Sequence, residues 1–158
     1  MRQRGFEIIS DYKDNGINLP ARATSGAAGY DFEAAETKII PSIWQQKDTG
    51  TAPKPTLVKT GIKAYMPQNE YLELVSRSSN PLKRFLLLAN GVGVIDSDYY
   101  GNENNEGHIM FQFLNFGYED VEIRKGERIG QGIFKPFLLA DGDQVETERT
   151  GGFGSSGQ

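Results

Sequence analysis

The chain contains no cysteine, and His108 is its only histidine. The first absence rules out disulfides and thiol chemistry, and it fits a reducing compartment such as the cytoplasm. The second leaves no set of imidazoles for a tightly bound zinc. No Lys/Arg run marks a nucleic-acid surface, and the formal net charge of −4, with a pI near 5.1, argues against a long polyanion as partner. A small triphosphate stays open, because a few placed arginines, backbone N–H groups and a metal ion can neutralise it locally. The start, Met1-Arg2-Gln3-Arg4-Gly5, is basic, but no apolar core of signal-peptide length follows it. Nor does any apolar run approach membrane-spanning length. Helical periodicity is scarce.

What is present is glycine, 19 of 158 residues, and with it many turns. The length fits one domain with a real core. Short apolar runs broken by Gly, Pro, Asn and Asp predict strands near 6–9, 30–34, 38–43, 56–66, 71–75, 85–88, 108–114, 121–123 and 129–137. Along 108–114, Ile109, Phe111 and Phe113 alternate with Met110, Gln112 and Leu114, so both faces of that strand are expected to be buried. Ser79 to Arg84 holds Pro81 and reads as one helical turn. The sum is an all-β chain, a sandwich or a jelly-roll-like barrel. Residues 45–55 and 102–107 are polar and turn-rich; they read as exposed loops with room for a protein partner.

The most informative stretch begins with the apolar Phe85-Leu86-Leu87-Leu88. Ala89-Asn90-Gly91 follows as a tight-turn signal, and Val92 to Ile95 then leads to Asp96, Asp98, Tyr99 and Tyr100. This reads as a hairpin with exposed tip backbone and a carboxylate at a strand end. The plainer alternative is a surface hairpin ending in solvated acids. Other segments decide between them: Ala28-Gly29-Tyr30-Asp31-Phe32, Ser76-Arg77-Ser78-Ser79, Gly126-Glu127-Arg128-Ile129-Gly130-Gln131, and the tail from Arg149 through Gly151-Gly152-Phe153-Gly154-Ser155-Ser156. Together and in this order, these segments resemble the motifs of the trimeric dUTP pyrophosphatases (dUTPases), from about Ala28 to the carboxyl end.

The resemblance implies a jelly-roll-like distorted β-barrel over 1–148, a Gly-rich lid over 149–158, and a homotrimer with sites at subunit interfaces. It implies hydrolysis of dUTP to dUMP and pyrophosphate with Mg²⁺. That chemistry needs an activated water, neutralised phosphates, a recognised base and exclusion of bulk water. Asp96 is the candidate general base, a carboxylate held at a strand end; a turn-capping Asp is the competing reading. Tyr99 corresponds to the family tyrosine that packs on deoxyribose and leaves no room for a 2′-hydroxyl. Asn90, with backbone of Gly93, Val94 and Ile95, would meet the acceptor–donor–acceptor edge of uracil. Arg77, Ser78, Ser79 and Gln131 would contact phosphates, and Asp31 would hold Mg²⁺ through water. From the tail, Arg149 would add charge at the phosphates, Phe153 would stack on uracil, and Gly154, Ser155 and Ser156 would close over the terminal phosphate. Asp98 reads as structural or solvated, and Arg128 as part of an internal ion pair. The alternative to catalysis is a binding or regulatory protein on the same fold, in which nucleotide controls a partner; deamination of dCTP, on a related fold, fits the Asp96–Tyr99 arrangement and the tail less well.

Overall fold

A computed structural model describes residues 1–46 and 49–152. Its strands are β1 (Gly5–Ile8), β2 (Tyr30–Glu33), β3 (Lys38–Ile40), β4 (Thr56–Lys59), β5 (Ile62–Tyr65), β6 (Glu70–Val75), β7 (Leu86–Leu88), β8 (Gly93–Asp96), β9 (Met110–Asn115), β10 (Val121–Ile123) and β11 (Arg128–Pro136). Helix is confined to short turns, among them α1 (Ile43–Gln46) and α2 (Ser79–Arg84). The strands form small sheets ordered β1-β5, β10-β3, β2-β11-β6-β8 and β4-β9-β7, with antiparallel ladders throughout. The architecture is all-β and jelly-roll-like; the sheets wrap one core without closing into a continuous barrel.

Phe32, Phe111 and Phe113 fill that core, each at most 1% exposed. The rings of Phe111 and Phe113 stack with centroids 6.3 Å apart. Glycine on β11 makes the packing fit: a Cβ on Gly130 would lie 2.2 Å from the Phe111 ring. Burying Phe111 at this spot thus requires the absence of a side chain opposite it. Truncating such a ring costs about 3–5 kcal/mol.

Three expectations change. The run 56–66 is two strands, because Gly61 takes φ +71° and turns the chain. β4 then pairs with β9 while β5 pairs with β1. Segment 38–43 ends as strand at Ile40, and Ser42 caps the helical turn by accepting from Trp44 N–H at 3.2 Å. The stretch 85–96 is not a hairpin. β7 pairs with β9 and β8 with β6, so the turn at Ala89–Val92, with Gly91 at φ +73°, carries the chain from one sheet to another.

Candidate active site

Crossing between sheets opens a cavity of about 600 Å³ at that turn. Its walls include Asn90, Gly93, Val94, Ile95, Asp96, Tyr99 and Arg149, all of them candidates from the sequence. β8 is held by pairing with β6, Gly93 opposite Leu74 and Asp96 opposite Tyr71. Gly93 lies so close to Leu74 that a Cβ there would sit 3.0 Å from that side chain's own Cβ. Gly93 therefore brings backbone with no side chain of its own to the wall, beside Leu74, Val94 and Ile95. The cavity floor comes from Met110 and Gln112 of β9. Their face of the strand is half-buried rather than buried, which corrects the expectation of two buried faces.

Asp96 ends β8 and precedes a 3₁₀ turn, Ser97–Tyr99. Its Oδ2 accepts from Arg149 Nη2 at 2.5 Å, and Asp98 Oδ1 accepts from Arg149 Nε at 2.8 Å. Asp98 is therefore an ion-pair partner of Arg149 whose side chain stays 57% exposed. Tyr99 is 4% exposed, its hydroxyl donating to the His108 carbonyl at 2.6 Å. Burial pushes the Tyr99 phenol above its usual range, so it is a neutral, positioned ring.

A second group gathers elsewhere. Asp31 on β2 faces Gln131 on β11, and Gln131 faces Val75 on β6. Arg77, just past β6, brings Nε within 3.9 Å of Asp31 Oδ1, and Arg128 Nη1 stands 3.8 Å from Asp31 Oδ2. Ser78 and Ser79 begin α2, which is tied down by Asn80 donating to the Ile129 carbonyl at 2.9 Å. None of Asp31, Arg77, Ser78, Ser79 and Gln131 lines the cavity. The register explains why. Gln131 is level with Val75, and Asp96 is level with Tyr71 on the opposite edge of β6. At ~3.3 Å per residue and ~4.8 Å per strand, the two stand roughly 16 Å apart.

A dUTPase family model matches residues 15–157. The chain belongs to the dUTPase family. It is 53% identical to the deoxyuridine 5'-triphosphate nucleotidohydrolase of Lactococcus lactis subsp. lactis (strain IL1403), with 99% of each chain covered. It superposes on the crystal structure of a dUTPase from Streptococcus mutans with a TM-score of 0.77 and 51% identity, over 87% of this chain and 99% of that one. A more distant dUTPase, from phage phi11 of S. aureus, shares the fold at a TM-score of 0.69 and 19% identity, over 92% of this chain and 98% of that one. Coordination of a structural Mg(II) ion is described for that phage protein.

Membership in the dUTPase family does not by itself account for every wall of the cavity. Lys54, Pro55 and Leu57 also line it. Lys54 and Pro55 close a segment whose polar composition gives the impression of a plain exposed loop, and nothing local in the sequence marks them as site residues. Met110 and Gln112 had a signal, the second phase of the β9 alternation. Phe153, Gly154, Ser155 and Ser156 lie outside the described residues. Among the described residues no three or more carboxylates or imidazoles cluster as metal ligands. Asp31 offers a single carboxylate between two guanidiniums.

Proposed function

We propose that this protein hydrolyses dUTP to dUMP and pyrophosphate, using Asp96 to activate water. The observation that carries the reading is the cavity itself. A side-chain-free wall at Gly93, the Asn90 amide, the buried Tyr99 ring and the Asp96 carboxylate converge on one space of nucleoside size. Uracil would lie against Asn90 and the backbone of Gly93–Ile95. Cytosine presents a donor where uracil has an acceptor, and would leave groups unpaired. The Tyr99 ring would stand beside the sugar where a 2′-hydroxyl needs room.

Asp96 takes a proton as water oxygen bonds to the α-phosphorus. The bond from that phosphorus to the oxygen bridging to the β-phosphate breaks, and its electrons leave with pyrophosphate. Arg149, Arg77, Gln131 and the hydroxyls of Ser78 and Ser79 would neutralise the phosphates. One carboxylate cannot cage a metal, but it suits a Mg²⁺ that keeps its waters and takes phosphate oxygens, with Asp31 as anchor. When bound, that ion would supply charge at the phosphates.

The roughly 16 Å between Gln131 and Asp96 supports a site shared between copies of the chain, in a homotrimer. Residues 149–158 would act as the lid over the nucleotide. The cytoplasm is the proposed compartment, in keeping with the cysteine-free sequence; no helix among the described residues is long and apolar enough to cross a membrane. The test is pyrophosphate release with Mg²⁺ present. Release from dUTP well above that from dCTP, dTTP and UTP is expected; equal or absent release would refute the assignment.

A further inference from the structure

The segment 102–107 does not behave as the exposed loop its composition suggests. Glu103 and Asn104 face solvent, but Asn102 is 8% exposed and its side chain works inward. Asn102 Nδ2 donates to the Tyr99 carbonyl at 2.7 Å and to Asn105 Oδ1 at 2.8 Å. Asn102 Oδ1 accepts from the backbone N–H of Asn104 and Asn105, at 3.0 and 3.1 Å. Asn105 Oδ1 also accepts from Gly107 N–H at 3.1 Å. Two donors on its oxygen fix the amide's orientation, leaving Asn105 Nδ2 to donate to the Tyr99 hydroxyl at 2.8 Å.

The Tyr99 hydroxyl is thus held from both sides by one short segment. It receives a hydrogen from Asn105 and gives its own to the carbonyl of His108. Tyr99 lines the main cavity, whereas Asn105 lines a second, polar one of about 580 Å³ with Tyr12, Lys59 and His108. The ring therefore acts as a partition whose far end is anchored outside the nucleotide space. A partially satisfied buried hydroxyl would be free to seek another partner, and the ring would move with it.

We propose that Asn105 is a positioning residue that sets how closely the Tyr99 ring stands to the sugar, and so determines discrimination between deoxyribo- and ribonucleotide. This rests on reading Tyr99 as the residue beside the sugar. It makes segment 102–107 part of the specificity apparatus, although it touches no substrate.

The test measures kcat/KM for dUTP and UTP in full-length Asn105→Ala, Tyr99→Phe, the double variant and Tyr99→Ala, with the melting temperature of each recorded. Asn105→Ala and Tyr99→Phe should each lower the dUTP/UTP ratio about tenfold, chiefly through faster handling of UTP. The double variant should be no worse than Tyr99→Phe, because that change already removes the bond from Asn105 together with the one to the His108 carbonyl. If Asn105→Ala lowers the melting temperature and both kcat/KM values alike, with the ratio intact, Asn105 only supports the loop and the proposal fails. If Tyr99→Ala collapses the ratio while Asn105→Ala and Tyr99→Phe do not, the positioning role fails and the sugar-facing role of Tyr99 stands. If Tyr99→Ala itself leaves the ratio intact, both fall. Should Asn105→Ala not fold, Asn105→Asp decides in its place, since it removes the donor to the Tyr99 hydroxyl while its Oδ1 can still accept from Asn102 and Gly107; an unchanged dUTP/UTP ratio in that variant overturns the proposal.

Discussion

Arg149 grips Asp96 and Asp98 together, its Nη2 2.5 Å from one carboxylate and its Nε 2.8 Å from the other. Only 15% of the Arg149 side chain is exposed, and its Cζ lies 5.9 Å from the centre of the Tyr99 ring. A third bond, from Nη1 to the Gly151 carbonyl at 3.1 Å, folds the tail back on the same point. Thr150 alone separates Arg149 from Gly151, so the guanidinium and the glycine pair are delivered as one unit.

In the proposed reaction that guanidinium must release Asp96 and meet phosphate oxygens instead. Arg149→Gln should therefore lower kcat/KM for dUTP by about 10–10³-fold, the range for losing one charge-assisted donor at a developing charge. Steady-state kinetics check it. Unchanged or higher activity would mean that Arg149 merely caps Asp96.

The separation of Asp31, Arg77 and Gln131 from the cavity predicts that one chain alone is inactive. Light scattering should give the mass of a trimer, and dilution to the point of dissociation should abolish turnover. Closed cyclic assembly is the ordinary outcome for head-to-tail contacts. A fully active monomer would contradict a shared site.

His108 predicts an acid-sensitive fold. Its Nε2 accepts from Gly61 N–H at 2.9 Å, and burial, with Lys59 nearby, lowers its pKa to about 4 against the partial opposition of Asp11 and Glu106. Between the ordinary value of 6.5 and about 4 the unfolded chain binds a proton that the folded chain refuses. Stability is full above that window and falls with pH through it, by at most about 1.4 kcal/mol per pH unit from this residue. Glu7, Glu70 and Glu106, held low by hydrogen bonds from Arg2, Arg4 and Ser10 respectively, add their losses only below their ordinary 4.5. Melting temperatures from pH 7 to 4.5 should fall in the wild type and much less in His108→Gln. Equal slopes would remove His108 as the cause.

Much of this molecule is legible in its sequence where the signal is local. Short apolar runs broken by Gly, Pro, Asn and Asp located most strands, Pro81 marked the turn of α2, and Gly91 marked the bend before β8. The resemblance named seven of the residues that line the cavity, Asn90, Gly93, Val94, Ile95, Asp96, Tyr99 and Arg149. What escaped was non-local. Gly61 splits an apolar run because Tyr12, distant in sequence, packs where a Cβ would go. The separation of β7 from β8 depends on β6 and β9 offering each a better partner. Segment 102–107 read as an exposed loop because it is polar, yet the amides of Asn102 and Asn105 replace backbone partners and point inward. The Asp31–Gln131 register brings together residues that no window of sequence contains.

Asp96→Asn isolates the proposed activation of water by Asp96, because it keeps the shape of the carboxylate and its capacity to accept a hydrogen bond but cannot take the proton. The variant should bind a non-hydrolysable dUTP analogue within a few-fold of wild type by calorimetry. Its pyrophosphate release from dUTP should fall by about 10²–10⁴-fold. Release near the wild-type rate from the purified variant would rule out Asp96 as the base.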